Sequence, residues 1–211
     1  MAQPLDAIKA IHNAFRADMK LIDGSALESA RSGKKLASTI ERFRFFNEVL
    51  VWHAHGEEIA VFPAVEAVAP SVVEAYEKDH RGLDAAFDAL NSAVSANDVL
   101  ATARATAVFK FHLDLHLGKE DSHLYRLVRE RVSITDQGKA VGIMVNEIPQ
   151  ERFPELVAWI YPLMDNNDRE NMTSIWQMVM PPPAFDQAKL LIHKAIGNDW
   201  AELVRRIPSL A

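Results

Sequence analysis

A chain of 211 residues, 49% hydrophobic and 25% charged, is long enough for one substantial core with an appended subdomain. Its 23 Lys and Arg against 29 Asp and Glu leave a formal net charge of -6, which argues against a general nucleic-acid surface, because phosphates are met by clustered cations. With no cysteine, disulfides, thiolate ligands, iron-sulfur clusters and cysteine nucleophiles are excluded, and any metal must take nitrogen and oxygen ligands.

The opening stretch MAQPLDAIKAIHNAF has no basic region followed by an apolar one, and no uncharged run nears the roughly 20 residues that span a bilayer. A cytoplasmic location with no membrane partner is therefore expected. Apolar residues Leu5, Ile8, Ile11, Phe15, Met19 and Ile22 recur at steps of three and four, predicting an amphipathic helix from Pro4 to Asp23. Gly24 and the small, polar residues up to Gly33 should end it. A second helix is expected from Lys34 to about Ala67, with Leu36, Ile40, Phe43, Phe46, Leu50, His53, Glu57 and Phe62 along one stripe. Pro63 should kink or end it.

Ser71, with Glu74 three residues on, reads as the capping box of a third helix running from Val72 to about Ser95. Asn97 or Asp98 then caps a fourth helix to about Val132, with Gly118 in its interior. Four long helices, short connections and no convincing strand predict an all-α fold, an antiparallel up-down-up-down four-helix bundle over residues 1–132. From Ser133 onward, Pro149, Pro154, Pro162 and Pro181-Pro182-Pro183 divide the sequence into short helices. Residues 133–211 are expected to pack on the bundle as a C-terminal helical extension. Trp159, Trp176 and Trp200 then serve as core contacts, or else as a surface for a protein partner or a homodimer.

One motif is written twice: His53 with Glu57, and His116 with Glu120. In an α-helix a step of four residues turns about 40° and climbs about 6 Å, so each pair presents imidazole and carboxylate on one face. The copies stay in register from His53-Ala-His-Gly-Glu57-Glu58 to Val61-Phe62 and from His116-Leu-Gly-Lys-Glu120-Asp121 to Leu124-Tyr125, an internal duplication. A lone histidine on the preceding helix, His12 or His80, completes each copy. These residues fall within apolar stripes, where an unpaired imidazole or carboxylate would cost several kcal/mol of desolvation. Ordinary core histidines bonded to Glu57 and Glu120 would answer that cost, and so would two metal ions bridged by the carboxylates.

His112 and His123 extend the same stripe of the fourth helix; His112 is a further candidate ligand, and His123 a residue that orients ligands. Asp84, four residues after His80, is either an additional ligand or a surface acid. Glu58 and Asp121 are read as orienting groups or solvated acids. Tyr76, one turn before His80, could donate a hydrogen bond or ligate. His55, turned about 200° from His53, should face away from the site, and His193 is structural or exposed.

The set His12, His53-x-x-x-Glu57, His80, His116-x-x-x-Glu120, with EEIAVFP after the first pair and EDSHLYRLV after the second, resembles the hemerythrin-like (HHE cation-binding) domains over about residues 4–132. The resemblance implies a four-helix bundle holding two non-heme Fe ions, oxo- and carboxylate-bridged, with Glu57 and Glu120 as bridges and the histidines as terminal ligands. Oxygen-carrying hemerythrins use His-x-x-x-His on the third helix and His-x-x-x-x-Asp on the fourth, where this chain has His80-x-x-x-Asp84 and His116-x-x-x-Glu120. It therefore looks closer to hemerythrin-like proteins associated with iron sensing, peroxide handling or nitric oxide responses. The implied function is to bind or sense O2, NO, peroxide or iron. The alternative is a di-iron enzyme that disproportionates hydrogen peroxide, with His112, His123 or Tyr76 as proton acceptor. By ligand type alone, manganese or zinc would serve as well.

Overall fold

The structure, a computed structural model, describes residues 2–33 and 36–211. Helix α1 spans Pro4–Ser32, opened by a reciprocal cap in which Gln3 N–H donates to Asp6 Oδ2 at 2.8 Å and Asp6 N–H to the Gln3 carbonyl at 2.9 Å. It runs straight through Gly24. A glycine inside a helix costs about 1 kcal/mol relative to alanine, and burial of Ile22, Ala26 and Ser29 on the continuing face outweighs that. The stop comes at Gly33, whose φ of 68° is the left-handed conformation that glycine adopts without steric cost.

Helix α2 covers Ala37–Gly56; the expected start at Lys34 lies outside the described residues. A wide turn, Glu57–Val61, follows, in which Phe62 N–H reaches back five residues to the Glu57 carbonyl, and α3, Phe62–Glu66, carries on. Helix α3 continues for three residues past Pro63 and then ends at Glu66. Pro63 occupies the second position of α3, directly after a turn that already breaks the regular pairing. Helix α4, Pro70–Ser95, begins on Pro70 and has no side-chain cap, so Ser71 lies inside its first turn and Glu74 just beyond it. Proline suits that first position because its fixed φ is helical and its missing N–H would be unpaired there anyway.

Asp98 caps α5, Val99–Lys119, by accepting from Ala101 N–H at 2.9 Å. A second wide turn, Glu120–Leu124, and α6, Tyr125–Arg131, complete the fourth rod. Five further helices follow: α7 (Ile134–Asn146), α8 (Phe153–Leu163), α9 (Asn166–Val179), α10 (Pro182–Ile196) and α11 (Trp200–Arg206). The described residues form an all-α structure without strands.

Two apolar clusters fill the bundle, and every rod crosses from one to the other. The first rod goes from Leu5 and Ile8 in one cluster to Phe15 and Met19 in the second, and the second returns from Phe43 and Phe46 to Val61 and Val65. The third leads from Val73 and Tyr76 to Leu83 and Leu90, and the fourth comes back from Phe109 and Leu113 to Leu124 and Val128. Alternating directions are the up-down-up-down bundle expected. At each crossing the apolar sequence is interrupted by His12, by His53 and Glu57, by His80, or by His116 and Glu120, all buried. A polar belt therefore lies between two apolar plugs, each large side chain of which contributes about 1.5–3 kcal/mol on burial.

The first cluster does not stop at the bundle. Val141, Val157, Ile160, Met172, Ile175 and Trp176 belong to it, so α7, α8 and α9 cover the N-terminal half of α1. Trp159 lies 5.8 Å from Phe15 and donates Nε1–H to Asp18 at 2.7 Å. Trp176 packs on Phe153 and Tyr161, and Trp200 stacks on His193 at 4.8 Å. Among the described residues, no helix is long and apolar enough to cross a membrane.

Candidate metal centre

The four rods bring six side chains together in two overlapping groups, His12, His53, Glu57 and Glu120 on one side and Glu57, His80, His116 and Glu120 on the other. Within each group the donor atoms lie within 4.8 Å of one another. Each carboxylate spans both groups. Glu57 turns Oε1 toward His53 Nε2 at 3.5 Å and Oε2 toward His80 Nε2 at 3.6 Å. Glu120 turns Oε2 toward His12 Nε2 at 3.6 Å and Oε1 toward His116 Nε2 at 3.1 Å. The His12 and His53 Nε2 atoms are 2.9 Å apart.

Both glutamates open a wide turn, and this local geometry builds the surroundings of the site. In a regular helix a residue five positions on points about 140° away, whereas the extra residue in a wide turn carries it back toward the same side. Phe62, five after Glu57, thus stacks on His80 with ring centroids 5.3 Å apart. Tyr125, five after Glu120, lies 5.5 Å from the His12 ring and donates its hydroxyl to Glu57 Oε1. The residue next to each glutamate fixes a histidine from behind. Glu58 accepts from His80 Nδ1–H at 2.8 Å, and Asp121 accepts from His12 Nδ1–H at 2.9 Å while also holding Arg16 at 2.7 Å. Donating at Nδ1 leaves Nε2 of each ring facing inward, the orientation a metal ligand requires.

The donors fit a pair of cations. Glu57 Oε2, both Glu120 carboxylate oxygens and His80 Nε2 are buried without a hydrogen-bond partner, a combination that costs several kcal/mol unless something bonds to it. Burial drives His53 down to about 4 and His116 down to about 3, so both rings are neutral near pH 7. Burial and then the charge of Glu57 raise the Glu120 carboxyl, whereas burial of Glu57 is overcome by His53, His80 and His12, which lower it. Burial opposes protonation of His80, but the carboxylates of Glu120, Glu57 and Glu58 outweigh it and raise this ring to about 11. Two carboxylates so close together, without cations, have to borrow positive charge from an imidazole.

Two expected ligands are absent from these groups. His112 is exposed beside Phe111, because the buried face of α5 is centred on Phe109, Leu113, His116 and Leu117 and leaves His112 on its flank. Asp84 is also exposed. One turn beyond His80, it lines a narrow cavity of about 40 Å³ that runs between α2, α4 and α5 to Glu57, His80 and His116. The second wide turn carries His123 out to the surface, where its Nδ1 lies 3.1 Å from the Tyr76 hydroxyl. Tyr76 donates to the Lys119 carbonyl at 3.1 Å and makes no side-chain hydrogen bond to the six. His55 faces outward and approaches Glu147 at 3.5 Å. A second cavity, of about 70 Å³, lies between α1, α2, α7, α8 and α9; its lining is apolar apart from His53.

Tyr125 is the residue that sequence reasoning missed. The one signal for it was its register with Phe62 in the duplicated segment.

Comparison with known proteins agrees with this geometry. Residues 3–128 match the family model of the hemerythrin HHE cation binding domain. The zinc finger protein BRUTUS of Arabidopsis thaliana is 24% identical over 177 residues, which cover 81% of this chain and 14% of that protein. Two BRUTUS-like zinc finger proteins of the same plant are 22% identical over 180 and 210 residues, covering 81% and 87% of this chain. The chain thus spans only 14–17% of the length of these relatives, and the aligned stretches are longer than the family segment. No solved structure matches. With the match covering well over half of its length, the chain belongs to the hemerythrin HHE cation-binding domain family.

Proposed function

We propose that this protein is a di-iron module of the hemerythrin type that binds or senses a small ligand, O2, NO, peroxide or iron itself. His12 and His53 would hold one ion and His80 and His116 the other, with Glu57 and Glu120 shared between them. The observation that carries this reading is the set of buried, unpartnered oxygens on Glu57 and Glu120 between two histidine pairs. Iron, when bound, would supply reversible one-electron chemistry and an affinity for such ligands. The protein's part is to fix the histidine tautomers through Asp121 and Glu58, to keep bulk water out with the two apolar plugs, and to admit small molecules through the narrow cavity beside Asp84.

The binding reading is favoured over peroxide disproportionation because His112 and His123 are exposed and Tyr76 spends its hydrogen bonds on the Lys119 carbonyl and His123 and not on the six residues. We also treat residues 133–211 as a wall of the same body, since α7 to α9 share an apolar cluster with α1. The test is elemental analysis of untagged protein loaded with Fe(II) without air and desalted, for which about two irons per chain are expected. Peroxide loss no faster than that caused by the same iron in buffer is expected alongside; rapid turnover would favour the enzyme instead.

A further inference from the structure

The two halves of the centre are built on one plan, and one buried oxygen atom present in only one of them bears directly on a shared carboxylate. Phe62 and Tyr125 each follow a shared glutamate by five residues, are 3% and 1% exposed, and sit beside His80 and His12 respectively. Only Tyr125 carries a hydroxyl. It donates to Glu57 Oε1, the oxygen on the His53 side, while Glu57 Oε2 and both Glu120 oxygens accept from nothing. Of the four carboxylate oxygens available for bridging, one is therefore engaged by the protein itself.

We propose that Tyr125 is a positioning residue that makes the two metal positions unequal. Its hydrogen bond fixes the rotation of the Glu57 carboxylate and draws charge from Oε1, so the His12–His53 half binds a cation more weakly than the His80–His116 half. The halves then fill in order, the His80–His116 half first, and the singly loaded protein is a distinct species over a range of metal concentration. This inference rests on the two-cation reading above.

The test is an anaerobic titration of metal-free protein with Co(II), followed by calorimetry and by the Co(II) absorption spectrum. The native chain is expected to bind in two steps separated by about tenfold or more in affinity, the scale on which groups behind metal ligands act. Tyr125→Phe retains the ring and loses only the hydroxyl, and its two steps should draw together with a changed spectrum for the weaker one. Adding Phe62→Tyr in that background should separate them again. Steps that stay apart in Tyr125→Phe, or a single unresolved step in the native chain, would overturn the proposal. A phenolate charge-transfer band in ferric protein that disappears in Tyr125→Phe would also overturn it, by making Tyr125 a ligand. Failure of the native chain to bind any Co(II) would instead remove the two-cation reading itself.

Discussion

Asp121 accepts the Nδ1–H of His12 at 2.9 Å and is itself gripped by Arg16, so the ring is locked with Nε2 toward Glu120. Burial alone would raise this carboxyl, but His12 and Arg16 outweigh it and hold it below the usual range, so it stays ionised at neutral pH. Asp121→Ala is expected to weaken metal binding by about 10–100-fold without changing the number of ions at saturation. Competition titration with a chelator of known affinity measures it. Glu58→Ala should act in the same direction on His80, and less strongly, because Glu58 is half exposed.

Removing a shared carboxylate is more severe. Glu57→Ala or Glu120→Ala deprives both groups of a ligand at once, and at least one of the two ions should be lost in elemental analysis. His55→Ala and His112→Ala should leave the metal content unchanged, since both rings are exposed and outside the groups.

The six clustered residues were legible because a step of four on a helix is a faithful guide to facing direction, and because the motif occurs twice. The bundle was legible from apolar steps of three and four. What was hidden depends on geometry that periodicity does not encode. The wide turns at Glu57 and Glu120 shift everything after them, which is why Tyr125 enters the site and His123 leaves it. His112 lies outside the two groups because a helix face has a centre, here on the Leu113 side, and a residue within 40° of one ligand can still lie on the flank. Gly24 is a stop by local propensity alone, whereas tertiary burial of Ala26 and Ser29 keeps α1 helical beyond it.

Asp18 links the extension to the bundle. This fully buried carboxylate on α1 pairs with Arg42 of α2 and accepts Trp159 Nε1–H of α8 at 2.7 Å. Asp18→Ala leaves the indole N–H without its partner and should destabilise the protein by about 1–3 kcal/mol in chemical denaturation.

Asp168 sets a pH dependence outside the centre. Burial raises its carboxyl above the usual range, opposed by the hydrogen bond from Asn13, which donates to it at 2.9 Å. A folded pKa above the unfolded one means that the native state holds the proton more tightly, so this residue's contribution to stability falls as pH rises through the unfolded value toward the folded one. Asp168→Asn keeps an acceptor for Asn13 and removes the titration. Relative to the native chain it should gain stability in urea unfolding as the pH rises above the ordinary carboxylate value, and the two should run parallel below it.

The most direct test of the paired centre is anomalous diffraction at the iron edge from crystals of untagged protein loaded with Fe(II) without air. Two peaks are predicted, one among His12, His53, Glu57 and Glu120 and the other among Glu57, His80, His116 and Glu120. A single peak, or iron bound only at Asp84 or His112, would contradict the account.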